Sequence, residues 1–256
     1  MMLNEKTVAA YTAILQEELM PATGCTEPIA VAYCAAKLRE ALGGKPEEVL
    51  AEVSGNILKN VKSVVVPNTG GRRGIEAAIA VGIVAGSADA GLQVLANVTE
   101  EDVAAIQGYL DATPITVTCP ETPCLLDIFL HGKRAGHTAA VRVANNHTNI
   151  IFMEKDGQVL LEKPLTANAE DSLQDKSVLN VKDIITFAET VPIAAIEPLV
   201  GRQIRYNSAI AEEGLRGSWG ANIGSTLLRG GDDPETQARA WAAAGSDARM
   251  NGCEMP

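Results

Sequence analysis

Apolar residues in the first forty positions recur at helical spacing. Val8, Tyr11, Leu15 and Leu19 make one stripe, and Ala30, Cys34 and Leu38 make a second that ends at Gly43-Gly44. Val49 to Ser54 and Val61 to Pro67 have the pattern of short strands or extended pieces, and a helix of small residues is predicted from about Gly74 to Gly86. Thr99 with Asp102 three residues on forms a capping-box signature, continued by Val103, Ile106 and Leu110. From Ile115 to about Leu165 the period changes to two. Leu125–Leu130, Thr138–Val143, Asn149–Glu154 and Gln158–Lys163 alternate like strands, and Asp156-Gly157 is a hairpin signal between the last two. A polar loop is expected at 166–178. Helix returns at Asn180, which can cap a segment with Asp183 at its third position, and again near 193–200, 203–213, 221–229 and 234–249.

The expected fold is therefore α+β, with helical segments flanking a central antiparallel β-meander of three to five strands. The division expected from this change of period is a mostly helical part at 1–113, a β region at 114–165 and a second helical part at 166–256.

Composition narrows the function classes. With 46% hydrophobic and 21% charged residues, the 256-residue chain can bury a core and is not a disordered linker; aromatics at 4% leave that core to Ala, Val, Ile and Leu. A net charge of −11 repels phosphate backbones and anionic lipid, so neither nucleic acid nor membrane is an expected partner. No apolar run reaches the ~18 residues of a spanning helix, and the N-terminus lacks an apolar signal core. Five dispersed cysteines argue for reduced thiols rather than a disulfide framework. A cytoplasmic location is expected.

Candidate chemistry begins at Pro21-Ala-Thr-Gly-Cys25-Thr-Glu27-Pro28, at the mouth of the second helix. Thr26 can cap, Pro28 suits a helix start, and the helix N-terminus favours a thiolate at Cys25 while Glu27 opposes it. A cap loop with an incidental cysteine is the alternative. Cys34, on the apolar stripe, is expected in the core. Cys119 and Cys124 flank a proline loop with no third ligand at Asp127, so no metal site is expected from spacing. Asn56, Lys59 and Asn60 precede Val66-Pro-Asn-Thr69-Gly70-Gly-Arg-Arg-Gly74, a glycine turn feeding a helix, which could present N–H groups to a carboxylate or be a plain turn with a solvated arginine pair. It is neither a Walker A loop nor a dinucleotide fingerprint. His131 and His137 lie near a strand turn. His147 stands in a polar cluster leading into a strand, facing a site or forming a turn. Arg249 suits bidentate carboxylate recognition or a surface ion pair with Asp247.

Gly24-Cys25-Thr26-Glu27-Pro28, Asn56 through Asn60, Val66-Pro-x-Thr69-Gly70, His147-Thr148-Asn149 and Ser246-Asp247-Ala248-Arg249-Met250 together resemble the iron–sulfur L-cysteine desulfidases, part of the larger group that includes the L-serine dehydratase alpha chain. Glu213-Gly-Leu-x-Gly217-x-Trp219-Gly220 and Ile223-Gly-Ser-Thr are also similar, so the likeness runs along nearly the whole chain. The resemblance implies β-elimination on a small amino acid, releasing pyruvate, ammonia and sulfide, with Cys25 as proton acceptor and a [4Fe–4S] cluster as Lewis acid. Carried onto this sequence, it implies Asn56, Lys59, Asn60, Thr69, Gly70 and Arg249 around the substrate. The desulfidases run on through a further helical half that carries the cluster cysteines, whereas this chain stops at Pro256. The expectation is a chain that lacks the cluster ligands and is inactive alone, either forming a homo-oligomer or completed by a C-terminal half. L-Serine dehydration is one alternative; a non-catalytic domain binding a small molecule or partner is the other.

Overall fold

Alternate burial in Glu48–Val53 (β1) sets the layering: Val49, Ala51 and Val53 face inward while Glu48 and Leu50 face solvent. In this computed structural model, which describes residues 3–22, 24–166, 174–253 and 255, β1 lies inside a six-stranded mixed sheet. The other strands are β2 (Ile115–Thr118), β3 (Asp127–Arg134), β4 (His137–Ala144), β5 (Ile150–Lys155) and β6 (Gln158–Glu162), in the order β2-β1-β3-β4-β5-β6. The α+β class holds. The expected meander is present as β3 to β6, but β1 pairs antiparallel with β3 and parallel with β2, so the sheet is larger and mixed. Asp156 and Gly157 turn the β5–β6 hairpin with φ of 50° and 79°, the left-handed pair that such a two-residue turn requires.

Helices α1 (Glu5–Glu18), α2 (Thr26–Leu42), α3 (Gly55–Val61), α4 (Gly74–Val84) and α5 (Glu100–Ala112) precede β2. α2 is buried along almost its whole length, against α4 on one side and β3 and β4 on the other. Cys34 sits there, fully buried, with its thiol 3.4 Å from the Val141 carbonyl. Ile29, Leu38, Ile79, Ile128, Leu130 and Val141 belong to one apolar cluster. The division expected at 113/114 therefore runs through a single core, because β1 from the first part is hydrogen-bonded between two strands of the second.

Beyond the sheet come α6 (Val181–Thr190), α7 (Ile193–Ile196), α8 (Arg202–Arg216), α9 (Ile223–Leu228) and α10 (Pro234–Met250). Residues 167–173 of the expected polar loop lie outside the described residues. Tyr11 packs against Phe187 with the rings tilted at 58° and their centroids 5.5 Å apart, and donates to the Val178 carbonyl, tying α1 to α6. α10 packs against α8 and α9, with a small second cluster of Ile210, Ala248 and Cys253 beneath Trp219. Among the described residues no single helix is long and apolar enough to cross a membrane; 181–190 and 193–216 reach that length only together, across a 111° bend.

Candidate active site

Three distant segments meet at the start of α2. Gly24 has φ +73°, and a Cβ there would stand 2.6 Å from Pro67 Cγ, so only glycine lets the two turns touch. The Val65 amide donates to the Met250 carbonyl at 3.1 Å, which brings the end of α10 beside the same turn. Cys25 is the N-cap of α2, with extended backbone and no side-chain cap. Its thiol donates instead to Glu27 Oε2 at 3.2 Å. Thr26, expected as the cap, lies in the first turn and donates its hydroxyl to the same oxygen at 3.2 Å. Asn60 Nδ2 donates to Glu27 Oε1 at 3.1 Å and reaches Asn56 Oδ1 at 3.5 Å.

These contacts correct the expected acidity of Cys25. Burial, then the hydrogen bond to Glu27 and its charge, push the thiol up to about 12, and the backbone N–H groups of the helix start offset little of this. Burial raises Glu27, but hydrogen bonds from Cys25, its own backbone, Asn60 and Thr26 outweigh it and hold the carboxyl below its usual value. The resting pair is a thiol and a carboxylate.

Two clefts open on Cys25. The larger, about 540 Å³, is lined by Cys25 and Thr26 together with Arg202, Gln203, Tyr206, Asn207, Ser246 and Arg249. Arg249 donates to Asn207 Oδ1 at 2.8 Å, and Arg202 to the Leu19 carbonyl at 2.9 Å. The smaller, about 410 Å³, is bounded by Cys25, Glu27, Lys59, Asn60, Ser63, Arg73 and Asn251. Met250 borders both.

Of the predicted residues, Cys25 shares the larger cleft with Arg249 and the smaller with Lys59 and Asn60, and Asn56 adjoins the smaller through Asn60. Thr69 and Gly70 line neither cleft. Thr69 is fully buried, with its hydroxyl on the carbonyls of Val66 and Arg72, and Gly70 faces Val103 of α5, so that turn is closed on itself. Arg249 does not pair with Asp247, whose carboxylate accepts the Ile223 amide at 2.9 Å. Arg202, Asn207 and Arg73 were not legible as site residues: Arg202 and Asn207 lie on a helix whose pattern marks only its buried face, and Arg73 borders the cleft because it reaches Asn251 at 3.2 Å. His147 is half-buried and held toward its neutral form by burial, against the charge of Glu27.

No family model matches the chain. The relatives it matches are UPF0597 proteins. That of Treponema denticola is 46% identical over 263 residues, covering 100% of this chain and 61% of the relative. In Desulfitobacterium hafniense the figures are 46% over 254 residues, 99% and 59%; in Lachnoclostridium phytofermentans, 48% over 244 residues, 95% and 58%. The chain thus spans about three-fifths of the length of these relatives.

The cluster implied by the desulfidase resemblance does not fit the side chains present. Cys34 is sealed in the core, Cys119 and Cys124 lie on the β2–β3 loop beside Asn56, and Cys253 packs against Ile210 and Ala248. Among the described residues no three His, Cys, Asp or Glu side chains converge as a metal site. What Cys25, Glu27 and the cations can do by themselves is bind a small anion-bearing molecule and move a proton.

Proposed function

We propose that this chain carries the acid–base half of an amino-acid lyase that removes the β-substituent of L-cysteine, giving sulfide, pyruvate and ammonia. One observation carries the reading: Cys25, its thiol in contact with a carboxylate, lines a cleft together with Arg202 and Arg249. A small amino acid with its carboxylate on those arginines has a site for its α-hydrogen beside the sulfur. Arg249, oriented by Asn207, supplies the fork geometry a carboxylate needs. Removal of the α-proton sends the C–H electron pair into a Cα=Cβ bond and the β-substituent departs with its own pair. The enamine then hydrolyses in water.

No step here runs through an iron–sulfur cluster; any such group belongs to donors other than the described side chains. The whole activity of the longer relatives is part of the proposal, as are a cytoplasmic location and completion of the site by a second copy or a further segment. The test is anaerobic sulfide release from L-cysteine by this chain supplied in trans with the further segment of a longer relative. Cys25→Ser is expected to abolish it, and Arg249→Ala to raise KM for L-cysteine about 10–100-fold, the loss of a charged hydrogen bond. Full turnover by Cys25→Ser would remove the base and the reading with it.

A further inference from the structure

Cys25 presents a difficulty for any base: at neutral pH its sulfur already holds a proton. Resting on the elimination reading above, we propose that Glu27 is the relay partner of Cys25, taking the thiol proton as the sulfur accepts the α-proton and passing it to the departing group in the cleft of Lys59, Asn60 and Arg73. The geometry is specific. One carboxylate oxygen, Oε2, accepts from the Cys25 thiol and the Thr26 hydroxyl, both at 3.2 Å, while Oε1 is fixed by Asn60 at 3.1 Å. Glu27 and Cys25 both border the smaller cleft, where Lys59 and Arg73 provide positive charge for an anion leaving the substrate.

The proton inventory closes. The S–H bond of Cys25 breaks and an O–H bond forms on Glu27; the substrate Cα–H breaks and a new S–H forms; the Cβ–X bond breaks and X takes the proton from Glu27. Nothing is oxidised or reduced, and each turnover returns a thiol and a carboxylate. The titratable and charged groups that line the two clefts with this pair are Lys59 from α3, Arg73 ahead of α4, Arg202 and Tyr206 from α8, Arg249 from α10 and Glu18 at the end of α1, and His147 from the β4–β5 turn feels the charge of Glu27. Asn60 is a positioning residue in this scheme.

Alkylation of the 256-residue chain by iodoacetamide between pH 7 and 10, followed at the Cys25 peptide by mass spectrometry, tests the coupling without reference to turnover. Glu27→Gln removes the carboxylate charge and is expected to speed alkylation of Cys25 at pH 8 by at least about tenfold, one pKa unit. An unchanged profile in folded Glu27→Gln overturns the inference. If that variant does not fold, Glu27→Asp, which draws the acceptor back by one methylene, is expected to speed alkylation by a smaller factor, and an unchanged profile there has the same force. Sulfide release supplies the second reading. Glu27→Gln should lose about 100-fold or more at pH 7, with a rate that climbs with pH as thiolate forms, where the wild type is flat. A uniform loss with no tilt means Glu27 is only structural. A wild-type chain that releases no sulfide even when completed in trans by the further segment of a longer relative overturns the elimination reading and the hand-over to the leaving group, while an alkylation shift still identifies Glu27 as what holds the thiol.

Discussion

Gly82 sits where α4 crosses α2, and a Cβ there would lie 2.2 Å from the Ala32 carbonyl oxygen, with the Ala32 Cα at 2.9 Å. Both obstacles are backbone, so no rotamer change relieves them. Gly82→Ala must part the two helices, and overpacking of this kind costs about 1–3 kcal/mol or more. Alanine returns about 1 kcal/mol of helix propensity, which the clash exceeds. A net loss of about 2 kcal/mol lowers Tm by roughly 4–8 °C in a chain of this size. Gly108 on α5 provides the internal control: it is exposed, and a Cβ there meets nothing within 4 Å. Gly108→Ala keeps only the propensity gain and should raise Tm by about 2 °C. Thermal unfolding by circular dichroism of both variants decides the matter. If both substitutions stabilise, the close α2–α4 approach is wrong, and with it the placement of Cys25, which caps α2 roughly 10 Å of helix from the contact.

Three further outcomes are expected. Thr69→Val removes the hydroxyl from a buried turn and should cost about 1–3 kcal/mol in urea unfolding while leaving KM for L-cysteine unchanged, since the side chain holds the turn and lines neither cleft. A raised KM would restore Thr69 to the substrate. Asp127→Ala breaks a nearly buried two-point pair with Arg142, at 2.8 and 2.6 Å, and should cost about 3–5 kcal/mol; a change under 1 kcal/mol in the urea midpoint would refute that weight. In the wild type the alkylation rate of Cys25 should climb about tenfold per pH unit from 7 to 10 without levelling, because the thiol is pushed up to about 12; levelling near 9 would mean an unperturbed thiol.

Local chemistry made much of the fold legible. Thr99 and Asp102 form the full capping box, Asn180 accepts the Asp183 amide, and Gly43 closes α2 in the left-handed conformation. Each of these is decided within four residues. The parallel β1–β2 pair was not legible, because Ile115–Thr118 is short and its partner lies before three intervening helices. The segment near 193–200 is not one helix but a single turn followed by a wider π turn at Glu197–Gly201, which contains Pro198. The site divides the same way. Cys25, Lys59 and Asn60 carried motif signals, but Arg202 shares a cleft with Cys25 only because α8 packs on α10 and α10 ends against Val65. The glycine turn at Thr69-Gly70 has the composition of an anion cradle and uses its polar groups internally.

The acidity of Cys25 shows which scale of effect governs this centre. A helix N-terminus contributes about 0.3–1 kcal/mol in favour of an anion, less than one pKa unit. Burial and a carboxylate 3.2 Å away move the same thiol from its ordinary 9.0 to about 12. A helix start therefore does not make a thiolate when an acidic side chain two residues on reaches back to the sulfur. The contact that withholds the base is also the one the proposed relay uses, since the carboxylate that raises the thiol is the acceptor to which its hydrogen bond points. A cation brought to Glu27 weakens the pull of its charge on the thiol, whereas a proton placed on it removes the acceptor, so the reactivity of the sulfur is set by what occupies the cleft of Lys59, Asn60 and Arg73 rather than by the helix beneath it.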